Sequence, residues 1–395
     1  MKNLPVIVLK QGKEHSLKRF HPWVFSGAVK SADSHINEGD IVEIFSEKGE
    51  YLATAHFQSG SIIAKIFSFY RVTADYNFWK DKIYHAFLLR LDIGLVENQH
   101  TNCYRLVHGE ADGLPGLIID WYNGTAVVQS RSLGIHNLKD DIVNALIEIY
   151  KNKLKAVYYK GGDLIGKATG LSVDDGYLFG RKTESIVFEN DCSFFIDWES
   201  GQKTGFFIDQ RDNRKILSAY ANNKSVLNTF CYSGGFSIYA LKSGASSVHS
   251  VDSSATAIEL TEKNTGLNGF NESNHKAYIA DVKTFLNTAE SEYDIIILDP
   301  PAFAKNIKNR HHAVIGYKNL NLQAMKKIKK GGLLFTFSCS QAIERSLFIS
   351  TVTAAALETG RNMVILHHLS QPPDHPVSIY HPEGEYLKGL VLKFD

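Results

Sequence analysis

The amino-acid sequence predicts an α/β protein whose C-terminal half is a doubly wound, mostly parallel sheet, preceded by an all-β barrel and a central α+β segment. Three observations carry this expectation. After about residue 198, apolar strand-like runs alternate with helical stretches, the pattern of repeated βαβ units. Between residues 6 and 70, short alternating or apolar runs are punctuated by glycines and charged turns, the pattern of a small barrel. Between the two lie a helix-period segment, several strand-like runs and a second helix. A chain of 395 residues exceeds one comfortable core, so a division into 1–73, 74–197 and 198–395 is expected.

In the first segment the strand-like runs are residues 6–9, 40–45, 51–57 and 62–67. Phe78, Ile83, Phe87, Leu88, Leu91 and Leu95 then repeat at helical spacing. Strand-like runs follow at 104–107, 116–120 and 125–129, with Gly113-Leu114-Pro115-Gly116 as a turn. A helix over 139–150 and strands near 156–160 and 185–191 complete the middle segment. In the last segment, strands are expected at 225–230, 247–252, 275–281, 294–299, 332–339 and 362–367. Helices fall near 236–243, 255–265, 282–289, 317–330 and 344–359. The final run, 386–394, follows its predecessor without a helix, so it should pair antiparallel.

A formal net charge of +1 argues against a dominant electrostatic partner, although a local basic face is compatible with a balanced total. Cys103, Cys192, Cys231 and Cys339 lie far apart, with no C-x-x-C pairing, so neither a zinc site nor a disulfide framework is written in the sequence. A reducing, cytoplasmic setting is expected. The amino terminus has too short an apolar core for a signal peptide, and nowhere do about 18 apolar residues run together, so no membrane partner is expected.

The chemistry concentrates where strands end. The run from Tyr293 to Leu298 is almost wholly apolar and stops on Asp299-Pro300-Pro301. Two prolines fix φ and remove backbone donors, so the carbonyls beyond Asp299 are free to face a ligand. In open α/β sheets ligands bind beyond the carboxyl ends of the strands. An earlier strand runs into Tyr232-Ser233-Gly234-Gly235, a glycine turn opening a helix. The next strand ends on Asp252, roughly 20 residues on, where an acid accepts ribose hydroxyls. Asp281 ends a third strand and suits an adenine amino group. Helix capping by Asp and Ser explains one or two of these positions but hardly all four. NAD lacks its usual fuller G-x-G-x-x-G turn here; S-adenosylmethionine, without a phosphate, tolerates the looser one.

The segments Lys203 to Arg211, Asn228 to Ser237, Asp299-Pro-Pro-Ala-Phe303, Phe337-Ser-Cys-Ser340, Asp374-His-Pro376 and Pro382 to Lys388 stand out together. Taken together they resemble the bacterial class I 23S ribosomal RNA methyltransferases that make 5-methylcytosine. Arg19 to Gly27, with Gly39 to Val42, is similar to the RNA-binding PUA domain of those enzymes. The resemblance implies a PUA domain, a central α+β domain and a seven-stranded methyltransferase domain, often dimeric, using S-adenosylmethionine on ribosomal RNA. By the same resemblance Lys203, Phe206, Asp209, Gln210 and Arg211 wall the cofactor, with Tyr232, Ser233, Gly234, Gly235, Asp252, Asp281 and Asp299 around it. The turn has serine where the family commonly has threonine, and the region Tyr158 to Asp163 lacks an arginine-bearing pattern.

Carbon 5 of cytosine is a poor nucleophile, so its methylation calls for a thiolate added at carbon 6. Cys339 ends the fifth strand of the doubly wound sheet, beside the strand of Asp299, and is the expected nucleophile; its bland reading is a small core residue. Asp299, when protonated, is suited to hydrogen-bond ring nitrogen 3. Cys231 is read as packing. Pro300 is expected on the substrate side, Phe303 and Tyr317 as walls for a base out of its stack, and Lys305, Lys308 and Arg310 as phosphate contacts on a loop. Lys326, Lys327, Lys329 and Lys330 read as a basic helix end. Two other readings stay open: methylation of an exocyclic amine without a nucleophile, and an RNA-binding assembly factor with a vestigial fold.

Overall fold

The computed structural model describes residues 4–288, 292–304 and 306–395. The chain forms two compact units, one comprising Met1–Val187, Ile196–Phe206 and Pro373–Gly384, the other Phe188–Phe195, Phe207–Pro372 and Glu385–Asp395.

The first unit holds two sheets. Strands β1 (Val6–Leu9), β2 (Trp23–Phe25), β3 (Val29–Ala32), β4 (Ile41–Phe45), β5 (Tyr51–Phe57) and β6 (Ile62–Ser68) form a six-stranded sheet in the order β2-β6-β5-β4-β1-β3. Ile7 and Leu9, and Val42 and Ile44, are buried at every second position, while β5 is buried from Leu52 to His56, with Leu52, Ala53 and Ala55 in the same core. Strands β2 and β3 escaped the sequence pattern because they are short and β3 is mostly exposed. Beyond the helix Tyr76–Asp92, strands β7 (Cys103–His108), β8 (Leu117–Tyr122), β9 (Thr125–Ser130), β10 (Ala156–Tyr159) and β11 (Gly176–Gly180) form a second sheet, ordered β11-β10-β9-β8-β7. The helix Lys139–Tyr150 lies where its periodicity put it. Buried charge is neutralised locally: Arg90 is bidentate to Asp112 and donates to the Asp374 carbonyl, while Arg105 is bidentate to Asp120. The Asp374-His-Pro motif is therefore part of the framework of the first unit.

A hairpin of β12 (Ile186–Glu189), whose first two residues belong to the first unit, and β13 (Cys192–Phe195) precedes the seven-stranded sheet of the second unit. That sheet comprises β14 (Ser225–Thr229), β15 (Ser247–Asp252), β16 (His275–Ile279), β17 (Tyr293–Leu298), β18 (Ile328–Ser338), β19 (Met363–Leu369) and β20 (Lys388–Phe394), in the order β16-β15-β14-β17-β18-β20-β19. The first five strands are parallel, and β20 runs antiparallel to both neighbours, as its missing crossover helix required. Leu334, Leu390, Leu392 and Phe394 belong to the core on one face; Leu333, Phe335, Phe337 and Val391 belong to the core on the other. Buried on both faces, the central strands read as near-continuous apolar runs.

Two expectations are corrected. The helix expected at 317–330 occupies Arg310–Met325, and the chain from Ile328 is already strand. Gly331, at φ +72°, breaks the start of β18, and the resulting register shift hid the strand start among lysines. Lys329 and Lys330 thus lie on β18, and Lys329 pairs with Asp294 at 3.1 Å. Lys308 and Arg310, expected on a loop, lie in the turn Ile307–Asn309 and at the first position of the following helix. Among the described residues no helix is long and apolar enough to cross a membrane.

Candidate active site

The turn after β14 is conformationally unusual. Phe230 and Tyr232 adopt φ of +54° and +48°, a region that costs a bulky L-residue of order 1 kcal/mol or more. Gly234 follows at φ +75°, and a Cβ there would meet Thr261 Cγ2 at 2.8 Å. The helix Ala255–Leu267 holds the turn: Thr261 Oγ1 donates to the Tyr232 carbonyl at 2.9 Å, and Asn264 Nδ2 donates to the Ser233 carbonyl at 2.9 Å. Cys231 is buried beneath it, and burial pushes its thiol up to about 12, so it stays protonated packing as expected.

Asp252, at the end of β15, is tied to this turn. Its Oδ2 accepts from the Tyr232 N–H at 3.1 Å and its Oδ1 from the Ser254 N–H at 3.0 Å. Each oxygen retains acceptor capacity, so the carboxylate can still receive a diol. Asp281 has taken up a capping role: its Oδ1 accepts from the N–H and the hydroxyl of Thr284, and those bonds lower its carboxyl. Its other oxygen remains on an exposed strand end. A strained glycine turn, a diol acceptor and an exposed acid on three successive strand ends fit a nucleoside cofactor.

Asp299 follows β17 directly, and Gln210 Nε2 donates to its Oδ2 at 2.9 Å. Asn213 Nδ2 in turn donates to Gln210 Oε1 at 2.6 Å, so a relay from the first turn of the helix Arg211–Ser218 fixes the carboxyl. Asp209 Oδ2 accepts from the Tyr386 hydroxyl at 2.7 Å, and Arg211 is buried beside them in the sequence. Lys203 and Phe206 belong to the first unit, whereas Asp209, Gln210 and Arg211 belong to the second.

The Cys339 thiol, partly exposed, faces the Pro300 carbonyl at 3.8 Å. It therefore stands against the residue next to Asp299, as the neighbouring positions of β17 and β18 dictate. Tyr317 needs a correction. It is 1% exposed and sits in the core, where burial pushes its hydroxyl up to about 12; its ring lies 4.5 Å from that of Phe303. The two rings pack on each other, which leaves no slot for a base between them. Phe303 alone is partly exposed. Lys305 lies outside the described residues.

One residue escaped the sequence reading. Lys388 opens β20 and is only 3% exposed, with Nζ donating to the Ser340 carbonyl at 2.8 Å. Burial brings its ammonium down to about 8. The signal was available: Lys388 shares strand parity with Leu390, Leu392 and Phe394, so a lysine was assigned to an inward face.

The family model for the PUA-like domain matches residues 7–69, and that for S-adenosylmethionine-dependent methyltransferase matches residues 175–388. The chain is 39% identical over 395 residues to "Ribosomal RNA large subunit methyltransferase I" of Aeromonas hydrophila subsp. hydrophila, covering 98% of each chain. It is 36% identical to the protein of the same name in Vibrio vulnificus, again over 98% of each. The crystal structure of SMU.776 with SAH shares the fold at a TM-score of 0.86 and 23% identity, covering 98% of this chain and 99% of that one. The chain thus belongs to the S-adenosylmethionine-dependent methyltransferases, in the family of ribosomal RNA large subunit methyltransferase I.

Proposed function

We propose that this protein methylates carbon 5 of a cytosine in 23S ribosomal RNA through a covalent adduct on Cys339. The observation that supports this most is the pairing of a partly exposed thiol with the Asp299-Pro300 strand end, Sγ being 3.8 Å from the Pro300 carbonyl. The names of the relatives supply the substrate class, and the PUA-like domain supplies a module for RNA. In this reading the chain comprises a PUA-like domain to about residue 73, a central domain to about 197 and the methyltransferase domain beyond, working in the cytoplasm as a dimer.

The residues of the second unit proposed to hold the cofactor are Tyr232 to Gly235, Asp252 and Asp281, with Asp209, Gln210 and Arg211 contributing. When bound, S-adenosylmethionine supplies an electrophilic methyl group. The chain's own residues prepare the ring to receive it. The Cys339 thiolate adds to carbon 6, breaking aromaticity and leaving an enamine at carbon 5. The Asp299 carboxyl hydrogen-bonds nitrogen 3 and spreads the charge that develops there. Gln210 and Asn213 keep that carboxyl oriented. Pro300 and Phe303 are proposed to face the substrate, and Lys305, outside the described residues, is proposed as a phosphate contact. After methylation, loss of the carbon-5 proton expels the thiolate.

The amine-methylation reading uses Asp299 and the Pro300 carbonyl as proton acceptors and needs no sulfur. The thiol seated against that same carbonyl favours the cytosine reading. Incubation of the protein with total ribosomal RNA and labelled S-adenosylmethionine, followed by nucleoside analysis, tests it. The expected product is 5-methylcytidine, lost by a factor of about 10³ or more in Cys339→Ala. A labelled N-methylated nucleoside that survives this substitution contradicts the proposal.

A further inference from the structure

A glycine inside a helix weakens it, because its bare backbone loses more freedom on folding than that of any other residue. A mid-helix glycine therefore calls for a packing reason. Gly316 is such a residue, in the middle of the helix Arg310–Met325. Its backbone is ordinary helix, so no left-handed turn requires glycine there. It lies on the inward stripe between the fully buried Ala313 and Leu320, where helical spacing would otherwise place an apolar side chain. The reason is Phe303. A Cβ on Gly316 would stand 2.9 Å from Phe303 Cδ2 and 3.2 Å from its Cε2, inside the contact distance of about 3.5–4.0 Å between carbons. The Phe303 ring occupies the room that the missing side chain leaves, with the buried Tyr317 ring 4.5 Å from it.

Phe303 is also one residue from an anchored carbonyl. The Ala304 carbonyl accepts from Ser340 Oγ at 2.5 Å, and the Ser340 carbonyl accepts in turn from Lys388 Nζ at 2.8 Å. At the other end of the same run the Pro300 carbonyl faces Cys339 Sγ at 3.8 Å. The run from Pro300 to Ala304 thus crosses the end of β18, touching Cys339 and Ser340 in turn, and its one aromatic side chain is bedded on the helix.

We infer that Gly316 is a positioning residue of the methyl-transfer site: by withholding a side chain it lets Phe303 seat against the helix, and that seat fixes where the segment from Asp299 to Ala304 stands relative to Cys339. The inference rests on the reading that this segment faces the target base, and adds the residue that sets its position. An added methyl at Gly316 cannot be taken up by the helix, because Ala313, Tyr317 and Leu320 are locked into the core with Ala304. The Phe303 ring, partly exposed, is the part that yields. Pro300 and Pro301 hold φ fixed, so a shift at Phe303 is passed along to the Pro300 carbonyl and Asp299 instead of dying out in the loop. Gly316 acts on the reaction only through Phe303.

The test is a double-mutant cycle on the full chain with ribosomal RNA and S-adenosylmethionine, comparing Gly316→Ala, Phe303→Ala and the double variant. Gly316→Ala should lower the rate of methyl transfer at saturating RNA about tenfold or more, while KM for RNA and the cofactor affinity measured by calorimetry stay within about twofold. A glycine with no such role would behave oppositely, since alanine is the better helix former and would leave a fully active protein of equal or higher stability. In Phe303→Ala, which removes the ring, adding Gly316→Ala should cost at most about twofold more. An unchanged rate in Gly316→Ala, or the same loss whether or not Phe303 is present, overturns the inference. Should Gly316→Ala fail to fold, Phe303→Ala decides, because it empties the seat: an undiminished rate overturns the inference equally. The outcome is separable from the function proposed above. A loss in Gly316→Ala with methylation surviving Cys339→Ala would sink the nucleophile reading alone, and product abolished by Cys339→Ala with Gly316→Ala unaffected would sink only the role of Gly316.

Discussion

Asp294, near the start of β17, accepts hydrogen bonds from both the N–H and the hydroxyl of Ser225 and from Lys329 Nζ. Burial alone would raise its carboxyl, but these donors outweigh it and bring it down to about 2. A carboxyl depressed in the folded state stabilises the protein above its unfolded value, near 4, and that stability is lost as pH falls through about 2. The site is partly open to solvent, which reduces the full linkage value of about 2.5 kcal/mol to about 1 kcal/mol. Asp294→Asn is therefore expected to lower stability by about 1 kcal/mol at pH 7, with the difference vanishing toward pH 2. Denaturant titrations of both proteins at several pH values check this, and a deficit that persists at pH 2 counts against the assignment.

At the scale of elements, the turn from β14 into the helix Gly235–Lys242 is proposed to hold the cofactor on a strained backbone. Three residues with positive φ in five positions bend the chain back over the sheet edge, and Thr261 and Asn264 of the next helix pin it there. Gly234→Ala places a Cβ at 2.8 Å from Thr261 Cγ2 in a left-handed conformation. The expected cost is about 1–3 kcal/mol of stability together with a tenfold or greater loss of S-adenosylmethionine affinity. Calorimetric titration with the cofactor and a thermal melt measure the two. Unaltered affinity in a folded variant would mean that this turn does not serve the cofactor.

For the whole molecule, the order of parts was legible because each segment announces its own period. Alternation in β4, helical spacing from Phe78 to Leu95, and apolar runs ending on Asp252, Asp281 and Asp299 all express the face of the chain that is buried. What stayed hidden obeys the same physics. β18 begins among lysines because its first residues precede the buried stretch, and Lys388 was passed over because a lysine is read as surface unless strand parity is followed through it. The packing of Phe303 on Tyr317 depends on how a distant helix meets a strand end, which no local pattern encodes.

The proposed reaction is sulfur chemistry at the rim of the second unit's sheet, and a mechanism-based trap addresses it most directly. Ribosomal RNA transcribed with 5-fluorocytidine carries fluorine where the leaving proton should be, so an enzyme that adds a thiolate to carbon 6 and methylates carbon 5 stalls as a stable adduct. Incubation of the protein with this RNA and S-adenosylmethionine, followed by digestion and mass spectrometry, should yield a methylated, fluorinated nucleotide linked to the peptide that contains Cys339. Absence of any adduct while normal RNA is still methylated, or an adduct on a different residue, would contradict it.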